Sequence, residues 1–283
     1  MSESLPTISV VTPSFNQEEY VEGTLRSVLD QEYPELEYVV IDGGSTDGSV
    51  ETIRRYASRL AYSVSEPDAG HADGINKGFA HTSGEIMAWI NSSDVYYPWT
   101  LQTVAEVFRD VPEALWIMGV PSLVGSHGEP KAVYADARNV YDFLAGDYRW
   151  LQQESIFWRR SLWERAGGRL DCDVRYACDF ALWLRFMQLA PLYHIQTLLA
   201  GFRHHPDRRG TVDGAYEMEA RAAWLRWAQA APRRERIRSC VVSAVPGRPG
   251  RVWRKTLDAL PMVRWYRHLR IEYDFEAHRW MVR

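Results

Sequence analysis

Short apolar runs alternate with amphipathic segments along most of the chain. The runs are continuous, as is typical of strands that are buried on both faces of a parallel sheet. The segments between them carry apolar residues at helical spacing, as Tyr20, Leu25 and Leu29 do. This alternation predicts an α/β fold with a doubly wound, mainly parallel sheet flanked by helices. The predicted strands are residues 8–13, 38–41, 61–65, 86–90, 115–120 and 193–199, and the predicted helices are residues 18–30, 49–60, 73–82, 99–108 and 179–189.

The last quarter of the chain has a different pattern. Residues 214–231 predict a long helix, and residues 252–282 mix basic with aromatic side chains. We expect two helices in that final stretch, separated at Pro261. The chain is therefore divided into a ligand-binding domain at residues 1–213 and a helical extension at residues 214–283.

Small, polar or acidic residues follow three of the predicted strands. The segments are Thr12-Pro-Ser-Phe-Asn16, Asp42-Gly-Gly-Ser-Thr-Asp-Gly48 and Asn91-Ser-Ser-Asp94. Open α/β sheets bind ligands at the carboxyl ends of their strands. The segments therefore predict a crevice that is lined with carboxylates and has no evident protein nucleophile. Such a crevice favours the transfer of a group that is activated by a diphosphate.

Asp42 is the first candidate for binding a nucleotide. It ends a buried strand and precedes Gly43 and Gly44, which let a ligand approach the backbone. A carboxylate there can accept an N–H group of a base. The alternative is a turn or helix-capping role, for which Ser45 and Asp47 are better placed.

Asp94 is the candidate metal ligand. A hard divalent cation that bridges two phosphates needs few protein ligands and prefers carboxylate oxygen. The alternative is an ordinary turn aspartate before Tyr96-Tyr97-Pro98.

The segment between Asp68 and Gly78 is polar and contains one of only three lysines, Lys77. Lys77 and Asn76 are candidates for nucleotide binding, the lysine through the diphosphate. Asp68 and Asp73 are candidates for ribose and sugar hydroxyls. A solvated lysine and turn-capping aspartates are the alternatives.

Two carboxylates compete for the role of general base. Asp179 begins a predicted helix, and Glu154 lies in Leu151-Gln-Gln-Glu-Ser155. An alcohol that attacks an electrophile must lose its proton, and a nearby carboxylate can accept it. An N-cap role is the alternative for Asp179. His204 and His205 could bind a metal or phosphate, or lie in a surface loop.

Charge and cysteine content limit the partners. The 283-residue chain has a net charge of −4, but from Arg233 onwards 13 Lys and Arg residues face 5 Asp and Glu residues. The preceding body is therefore acidic, which does not favour a nucleic acid as partner. Three cysteines without a pairing or metal pattern fit a reducing compartment, and the first residues lack a signal-peptide pattern. We therefore expect a cytoplasmic protein.

Together these segments resemble the family 2 glycosyltransferases, inverting enzymes with the GT-A fold. The resemblance spans roughly residues 7–210 and is specific as a set. The matching stretches are Val10-Val-Thr-Pro-Ser-Phe-Asn-Gln17, Ser27-Val-Leu-Asp-Gln31, Ile41-Asp-Gly-Gly-Ser-Thr-Asp-Gly48, Gly84-Glu-Ile-Met-Ala-Trp-Ile-Asn91, Phe157-Trp-Arg-Arg160 and Asp179-Phe-Ala-Leu-Trp-Leu-Arg185.

The resemblance implies roles for individual residues. Thr12 and Pro13 would line the nucleotide pocket, in which we also place Asn16, and Asp42 would pair with the base. Asp94 would bind Mn²⁺ or Mg²⁺ with His205, and Asp179 would be the catalytic base. The sequence departs from the family pattern at Ser93, where the family usually has a second aspartate that contacts the ribose. A serine there leaves the metal site less negative.

The predicted function is the transfer of a sugar from a nucleoside-diphosphate sugar to a hydroxyl group of a lipid-linked or polymeric glycan, in surface polysaccharide or glycolipid synthesis. A nucleotidyltransferase and a non-catalytic binding protein are the alternatives. The basic, aromatic tail could place the enzyme at the inner face of the membrane, since arginines meet anionic head groups and aromatic rings settle at the interface. Packing of the tail on the acidic body is the alternative.

Overall fold

The computed structural model describes residues 5–125, 129–133, 139–146, 151–204, 214–244, 252–257, 260, 263 and 266–283. Within these residues the strands are β1 Ile8–Ser14, β2 Leu36–Asp42, β3 Tyr62–Ser65, β4 Ile86–Trp89, β5 Val95–Tyr96, β6 Trp116–Met118, β7 Ser122–Val124, β8 Pro130–Val133, β9 Ile156–Arg159, β10 Tyr193–Ile195, β11 Ala200–Arg203, β12 Leu269–Asp274 and β13 Arg279–Val282. The helices are α1 Val21–Leu29, α2 Ser49–Arg55, α3 His71–Ala80, α4 Thr100–Asp110, α5 Val140–Leu144, α6 Arg160–Arg165, α7 Cys178–Leu189, α8 Ala215–Ala230 and α9 Arg233–Ser243.

The central sheet has the strand order β13-β12-β10-β6-β9-β4-β1-β2-β3 in the described part of the chain. Most neighbouring pairs are parallel, and β9 is antiparallel to both β4 and β6. β1 and β2 pair in register from Ile8 opposite Leu36 to Ser14 opposite Asp42. The carboxyl ends of these two strands therefore meet at one edge, as the sequence predicted.

Both faces of the central sheet are covered, which explains the continuous apolar runs. Every residue of β1 is buried, and its side chains alternate between two apolar clusters, with Val11 in one and Val10 in the other. Helix α3 lies very close to the sheet, because a Cβ at Gly78 would come within 2.3 Å of a Val11 methyl group. This helix glycine is therefore required by packing.

A second sheet with the order β5-β11-β7-β8 lies beyond the end of β4. Gly201 of β11 pairs with Val95 of β5 in antiparallel register. This pairing brings the residues next to Val95 and Gly201 together. Arg203 is the last residue of β11.

The mainly parallel sheet flanked by helices confirms the predicted fold class, and helix α8 matches the helix predicted at 214–231. The prediction of two helices within 252–282 is wrong. Residues 252–257 are helical, but β12 and β13 form an antiparallel pair, and β12 pairs in parallel with β10. Ile271 is fully buried and Trp280 nearly so. Apolar and polar residues alternate along β12, which is typical of a strand. The helix prediction did not take this two-residue period into account.

None of the helices in the described ranges is both long enough and apolar enough to cross a bilayer. The tail also offers fewer aromatic rings to a membrane surface than its sequence predicts. Tyr266 is fully buried, and the indole of Trp280 is packed beside Glu106 of α4, toward which its N–H points at 3.4 Å. For these two rings the packing alternative is correct.

Candidate active site

Asp42 lies at the carboxyl end of β2 and is fully buried. Its Oδ2 atom accepts hydrogen bonds from the N–H groups of Gly44 (3.1 Å) and Ser45 (2.8 Å), and from the Ser65 hydroxyl (2.7 Å). Its Oδ1 atom accepts one from the Ser45 hydroxyl (2.5 Å). Asp42 thus holds the turn between β2 and α2 in place. Its contact with a nucleobase stays a prediction.

Asp68 points toward the same turn. A Cβ at Gly43 would come within 2.9 Å of Asp68 Oδ2, and one at Gly74 within 3.1 Å, so both positions leave room for this carboxylate. Oδ1 accepts the N–H of Gly70 at 2.8 Å, and Oδ2 accepts no hydrogen bond from the described residues. Asp68 is partly exposed. It therefore presents an unused acceptor at the sheet edge.

Lys77 of α3 forms ion pairs with Glu66 (3.2 Å) and Asp73 (3.5 Å). Asp73 also accepts the N–H of Ala69 at 3.0 Å. The structure thus places Lys77, predicted to bind the diphosphate, next to Asp73, predicted to bind the sugar, and the two side chains form an ion pair. Their contacts with a donor stay predictions.

The first strand contributes less open surface than expected. Thr12 is fully buried, and its hydroxyl shares a 2.8 Å hydrogen bond with the hydroxyl of Tyr38. Pro13 is buried as well. The Thr12 hydroxyl is thus already used within the sheet, and the contact of these two residues with a nucleotide stays a prediction. Asn16 is exposed, and its amide oxygen accepts the N–H of Thr46 at 2.9 Å, which ties β1 to the Asp42 turn.

The side chain of Asn76 is bound to the backbone of the loop before α7. Its side-chain oxygen accepts the N–H of Leu170 at 2.8 Å, and its side-chain nitrogen donates to the Leu170 carbonyl at 3.1 Å. The amide thus pairs with the backbone as another peptide would. Asn76 fastens the loop before α7 to α3, and this contact uses the polar atoms that a nucleotide would need.

Asp94 is fully buried just before β5. Its Oδ1 atom accepts the backbone N–H of Arg203 (2.8 Å), and its Oδ2 atom accepts the side-chain amide of Asn91 (3.0 Å). The guanidinium group of Arg203 donates to the Ser93 carbonyl at 2.6 Å. Burial raises the pKa of Asp94 to about 7, and the two hydrogen bonds and the charge of Arg203 limit the rise.

Glu154 lies in a short 3₁₀ turn before β9 and is 1% exposed. Burial raises its pKa well above the usual range, and the negative charges of Asp94 and Asp179 raise it further. The three carboxylates therefore share one electrostatic environment. Several buried side-chain atoms around them have no hydrogen-bond partner, namely Asn91 Oδ1, Gln152 Oε1, Gln153 Oε1, Glu154 Oε1 and Ser155 Oγ. Buried polar atoms are normally paired, so this group indicates a place where a ligand or water binds.

Asp179 is in the first turn of α7 and is partly exposed. Its Oδ1 atom accepts the N–H of Phe180 at 2.7 Å. Burial by the surrounding protein raises the pKa of Asp179 to about 7, although Tyr216 of α8 and the backbone N–H groups lower it in part. The Tyr216 hydroxyl is buried beside Asp179 but does not reach hydrogen-bond geometry. A carboxylate with a pKa near neutrality that still meets solvent suits proton transfer.

The predicted metal site can be tested on the residues that are described. No group of three or more His, Cys, Asp and Glu residues among them is arranged as a metal site, and His205 lies outside the described residues. Two buried oxygen atoms of neighbouring side chains, Asn91 Oδ1 and Glu154 Oε1, have no hydrogen-bond partner among the described residues. Oxygen donors suit Mg²⁺ or Mn²⁺, which bind through one or two carboxylates plus substrate phosphates. The residues therefore fit such an ion when phosphates complete its coordination.

Sequence reasoning missed Arg203 and Tyr216. Arg203 is 5% exposed, and its guanidinium group also donates to the Gly125 carbonyl at 3.2 Å and lies 5.5 Å from the centre of the Tyr20 ring. A single arginine before two histidines gives no local sign of burial. Tyr216 lies outside the predicted catalytic domain, and only the packing of α8 on α7 brings it to Asp179.

The chain matches the protein family described as glycosyl transferase family 2 over residues 9–189, and it belongs to that family. It is 32% identical over 203 residues to an uncharacterized glycosyltransferase of Mycobacterium tuberculosis, a match that covers 70% of this chain and 76% of the relative. It is 31% identical over 147 residues to TuaG of Bacillus subtilis, named as a candidate glycosyltransferase of teichuronic acid biosynthesis, covering 50% of this chain and 58% of TuaG.

Solved structures have the same fold. Residues 1–349 of S. aureus TarS in complex with UDP-GlcNAc align with a TM-score of 0.63 at 14% identity, covering 92% of this chain and 87% of that one. The mannosyltransferase PcManGT of Pyrobaculum calidifontis, in complex with GDP-Man and Mn²⁺, aligns with a TM-score of 0.54 at 20% identity, covering 93% and 85%. At these identities the likeness establishes the GT-A fold. With the family match, the protein is a glycosyltransferase, and the nucleotidyltransferase alternative is not supported.

Proposed function

We propose that this glycosyltransferase moves a hexosyl or deoxyhexosyl group, with inversion, from a nucleoside-diphosphate sugar to a hydroxyl group of a growing glycan. The observation that carries the proposal is the position of Asp179. It is a partly exposed carboxylate with a pKa of about 7, and its charge, like that of Asp94, raises the pKa of the buried Glu154. This arrangement supplies a base on the solvent side and an interior that is rich in carboxyl oxygen atoms.

The donor would bind at the carboxyl ends of β1, β2 and β4. The turn held by Asp42 and the unused acceptor of Asp68 would meet the base and ribose. Ser93, whose hydroxyl has no partner among the described residues, would meet a sugar or ribose hydroxyl. Lys77 would exchange one of its two ion pairs for a phosphate contact, which costs little because exposed ion pairs are weak.

Asp94 would hold a divalent cation, Mn²⁺ or Mg²⁺, together with the phosphates of the donor. Bound there, the cation neutralises charge on the leaving diphosphate. The chain itself prepares this position, because Arg203 and Asn91 fix the carboxylate at both oxygens. The solved mannosyltransferase with Mn²⁺ and GDP-Man supports this role.

Asp179 would accept the acceptor's proton. As the acceptor oxygen bonds to the anomeric carbon, the bond between that carbon and the diphosphate oxygen breaks on the opposite face. The nucleoside diphosphate leaves with the electron pair, and the hydroxyl proton passes to Asp179. A single displacement of this kind inverts the anomeric configuration. Glu154 is the alternative base, but its burial disfavours the charged form.

The acceptor class is supported by TuaG, whose name connects it with teichuronic acid biosynthesis. We therefore infer an acceptor in polysaccharide or glycolipid synthesis. The cytoplasmic location and the peripheral membrane contact stay predictions from the sequence.

A panel of UDP-, GDP- and dTDP-sugars, each with and without Mn²⁺, tests the proposal by thermal shift. A ligand that binds only the folded state raises the melting temperature by mass action. We expect one nucleotide series to stabilise the protein and Mn²⁺ to increase the effect. Release of nucleoside diphosphate with a glycan acceptor then tests transfer, and NMR of the product tests inversion. Binding without turnover on any donor would favour a non-catalytic relative, and retention of configuration would refute the single displacement.

A further inference from the structure

A basic groove runs between α7, α8 and the loop before α7, outside the candidate active site. It encloses about 680 Å³. Three arginines line it, Arg169 from the loop, Arg185 from α7 and Arg226 from α8, together with one acid, Asp171. Residues 1–232 as a whole are acidic, so a net positive groove there differs from its surroundings.

Arg185 is held in a fixed position. Its guanidinium group donates to the Ala166 carbonyl at 2.6 Å and to the Arg169 carbonyl at 2.7 Å. Arg185 therefore holds the loop before α7 in place and also contributes positive charge to the groove. Arg169 and Arg226 are exposed and form no ion pair with a described residue. Their donors are available to a ligand.

The wall of the groove combines other features that suit a carbohydrate. Ala181, Leu184 and Trp227 supply the apolar part of the wall. Asp171 supplies a carboxylate that accepts hydroxyl groups. Guanidinium donors bind carboxylates and phosphates in a fork geometry. The set therefore matches a ligand that carries hydroxyl groups, apolar ring faces and negative charge.

The groove shares its two helices with the proposed base. Asp179 and Arg185 are six residues apart on α7, about 9 Å along the helix axis. Tyr216, beside Asp179, and Arg226 are ten residues apart on α8, about 15 Å. The groove is therefore within about 15 Å, measured along the two helices, of the residues at the proposed base.

We propose that the α7–α8 groove binds an acidic glycan, one that carries carboxylate or phosphate groups, as the extended part of the acceptor. The inference rests on the proposed function and specifies its acceptor. A flat anionic membrane fits less well, because the groove is concave and lies between two helices and a loop.

The double variant Arg169→Gln, Arg226→Gln tests this inference by titration calorimetry. The probes are tetragalacturonate, a phosphorylated oligosaccharide of similar length, a neutral oligosaccharide of similar length, and phosphatidylglycerol vesicles. We expect the wild-type protein to bind at least one acidic oligosaccharide, and the double variant to bind it about tenfold more weakly, since charge-assisted hydrogen bonds are lost. Binding should weaken with salt. The neutral probe should bind far less.

Arg221→Gln is the matched control, because Arg221 is an exposed arginine of α8 that does not line the groove. It should bind the acidic probe as the wild type does, and thermal melting should show that all variants are folded. Equal binding by the double variant, or no binding of either acidic probe, would overturn the inference. Vesicle binding that needs Arg169 and Arg226, without oligosaccharide binding, would assign the groove to a membrane instead. The assay needs no donor sugar, so this inference and the transfer proposal can fail separately.

Discussion

The backbone N–H of Arg203 donates a 2.8 Å hydrogen bond to Oδ1 of Asp94, across 109 positions of sequence. The pairing of β11 with β5 makes this contact, and the Arg203 side chain secures the neighbouring Ser93 carbonyl. The orientation of the candidate metal ligand therefore depends on a strand far along the chain.

Replacing Asp94 with Asn should abolish the extra thermal stabilisation that Mn²⁺ gives to a bound nucleoside diphosphate. Asn keeps the shape but loses the charge that a hard cation requires. The melting temperature with nucleotide, with and without Mn²⁺, is the measurement, and Asp173→Asn, an exposed site, is the control. If Mn²⁺ still raises the melting temperature of a folded, nucleotide-bound Asp94→Asn protein by the same amount, Asp94 is not the metal ligand.

Replacing Ser93 with Asp should strengthen Mn²⁺ binding, because a second carboxylate makes the site more negative. We expect a roughly tenfold lower Kd for Mn²⁺ in the presence of nucleoside diphosphate. Calorimetric titration measures it. Weaker binding would mean that the serine hydroxyl is itself required.

Replacing Asp179 with Asn should reduce transfer about 10²–10⁴-fold while donor binding is retained, since Asn cannot accept a proton. In the wild type, kcat/KM should fall about tenfold per pH unit below pH 7, where Asp179 becomes protonated. Transfer rates from pH 5 to 9 and donor affinity are the measurements. If Glu154→Gln is inactive and Asp179→Asn is not, Glu154 is the base.

The same raised pKa predicts how stability depends on pH. The folded pKa of Asp179 is about 7, against about 3.9 in an unfolded chain. Between these values the folded state holds more protons, so stability falls as pH rises from about 4 to 7 and is level above. The free energy of unfolding of Asp179→Asn should therefore rise relative to that of the wild type over this range. At pH 8 the difference should be on the order of 2–4 kcal/mol. Urea unfolding at several pH values measures the gain, and a pH-independent difference would contradict it.

The β12–β13 pair should contribute to the stability of the whole sheet. Trp280 is 9% exposed, whereas Phe275, in the turn of the same hairpin, is 81% exposed. Trp280→Ala should lower the free energy of unfolding by about 3–5 kcal/mol, and Phe275→Ala should change it by no more than about 0.5 kcal/mol. Denaturant unfolding compares them. Similar costs for both variants would show that the hairpin does not pack as described.

The sequence predicted the fold where one physical rule dominated. The buried runs of β1, β2 and β4 and the helices between them were located because strands covered on both faces must be apolar throughout. Strand β9 was missed because Ile156–Arg159 is short and ends in arginine, and β12 because its neighbours are basic and aromatic. At the site, Asp94, Glu154 and Asp179 were found by residue type. Arg203 and Tyr216 were not, because only tertiary pairing places them there, and Thr12 and Asn76 were assigned to a ligand although the fold uses their polar atoms.

Asn76 joins the helix that follows the Asp68 turn to the loop that lines the basic groove. Asn76 belongs to the helix that follows the Asp68 turn, yet its amide holds the backbone of Leu170, next to Arg169 in the basic groove. A substitution at Asn76 would therefore change the position of the loop that carries Arg169. An alanine variant should have a raised KM for the acceptor and an unchanged KM for the donor, so an alanine scan that scored only overall turnover would not distinguish this positioning role from a nucleotide contact.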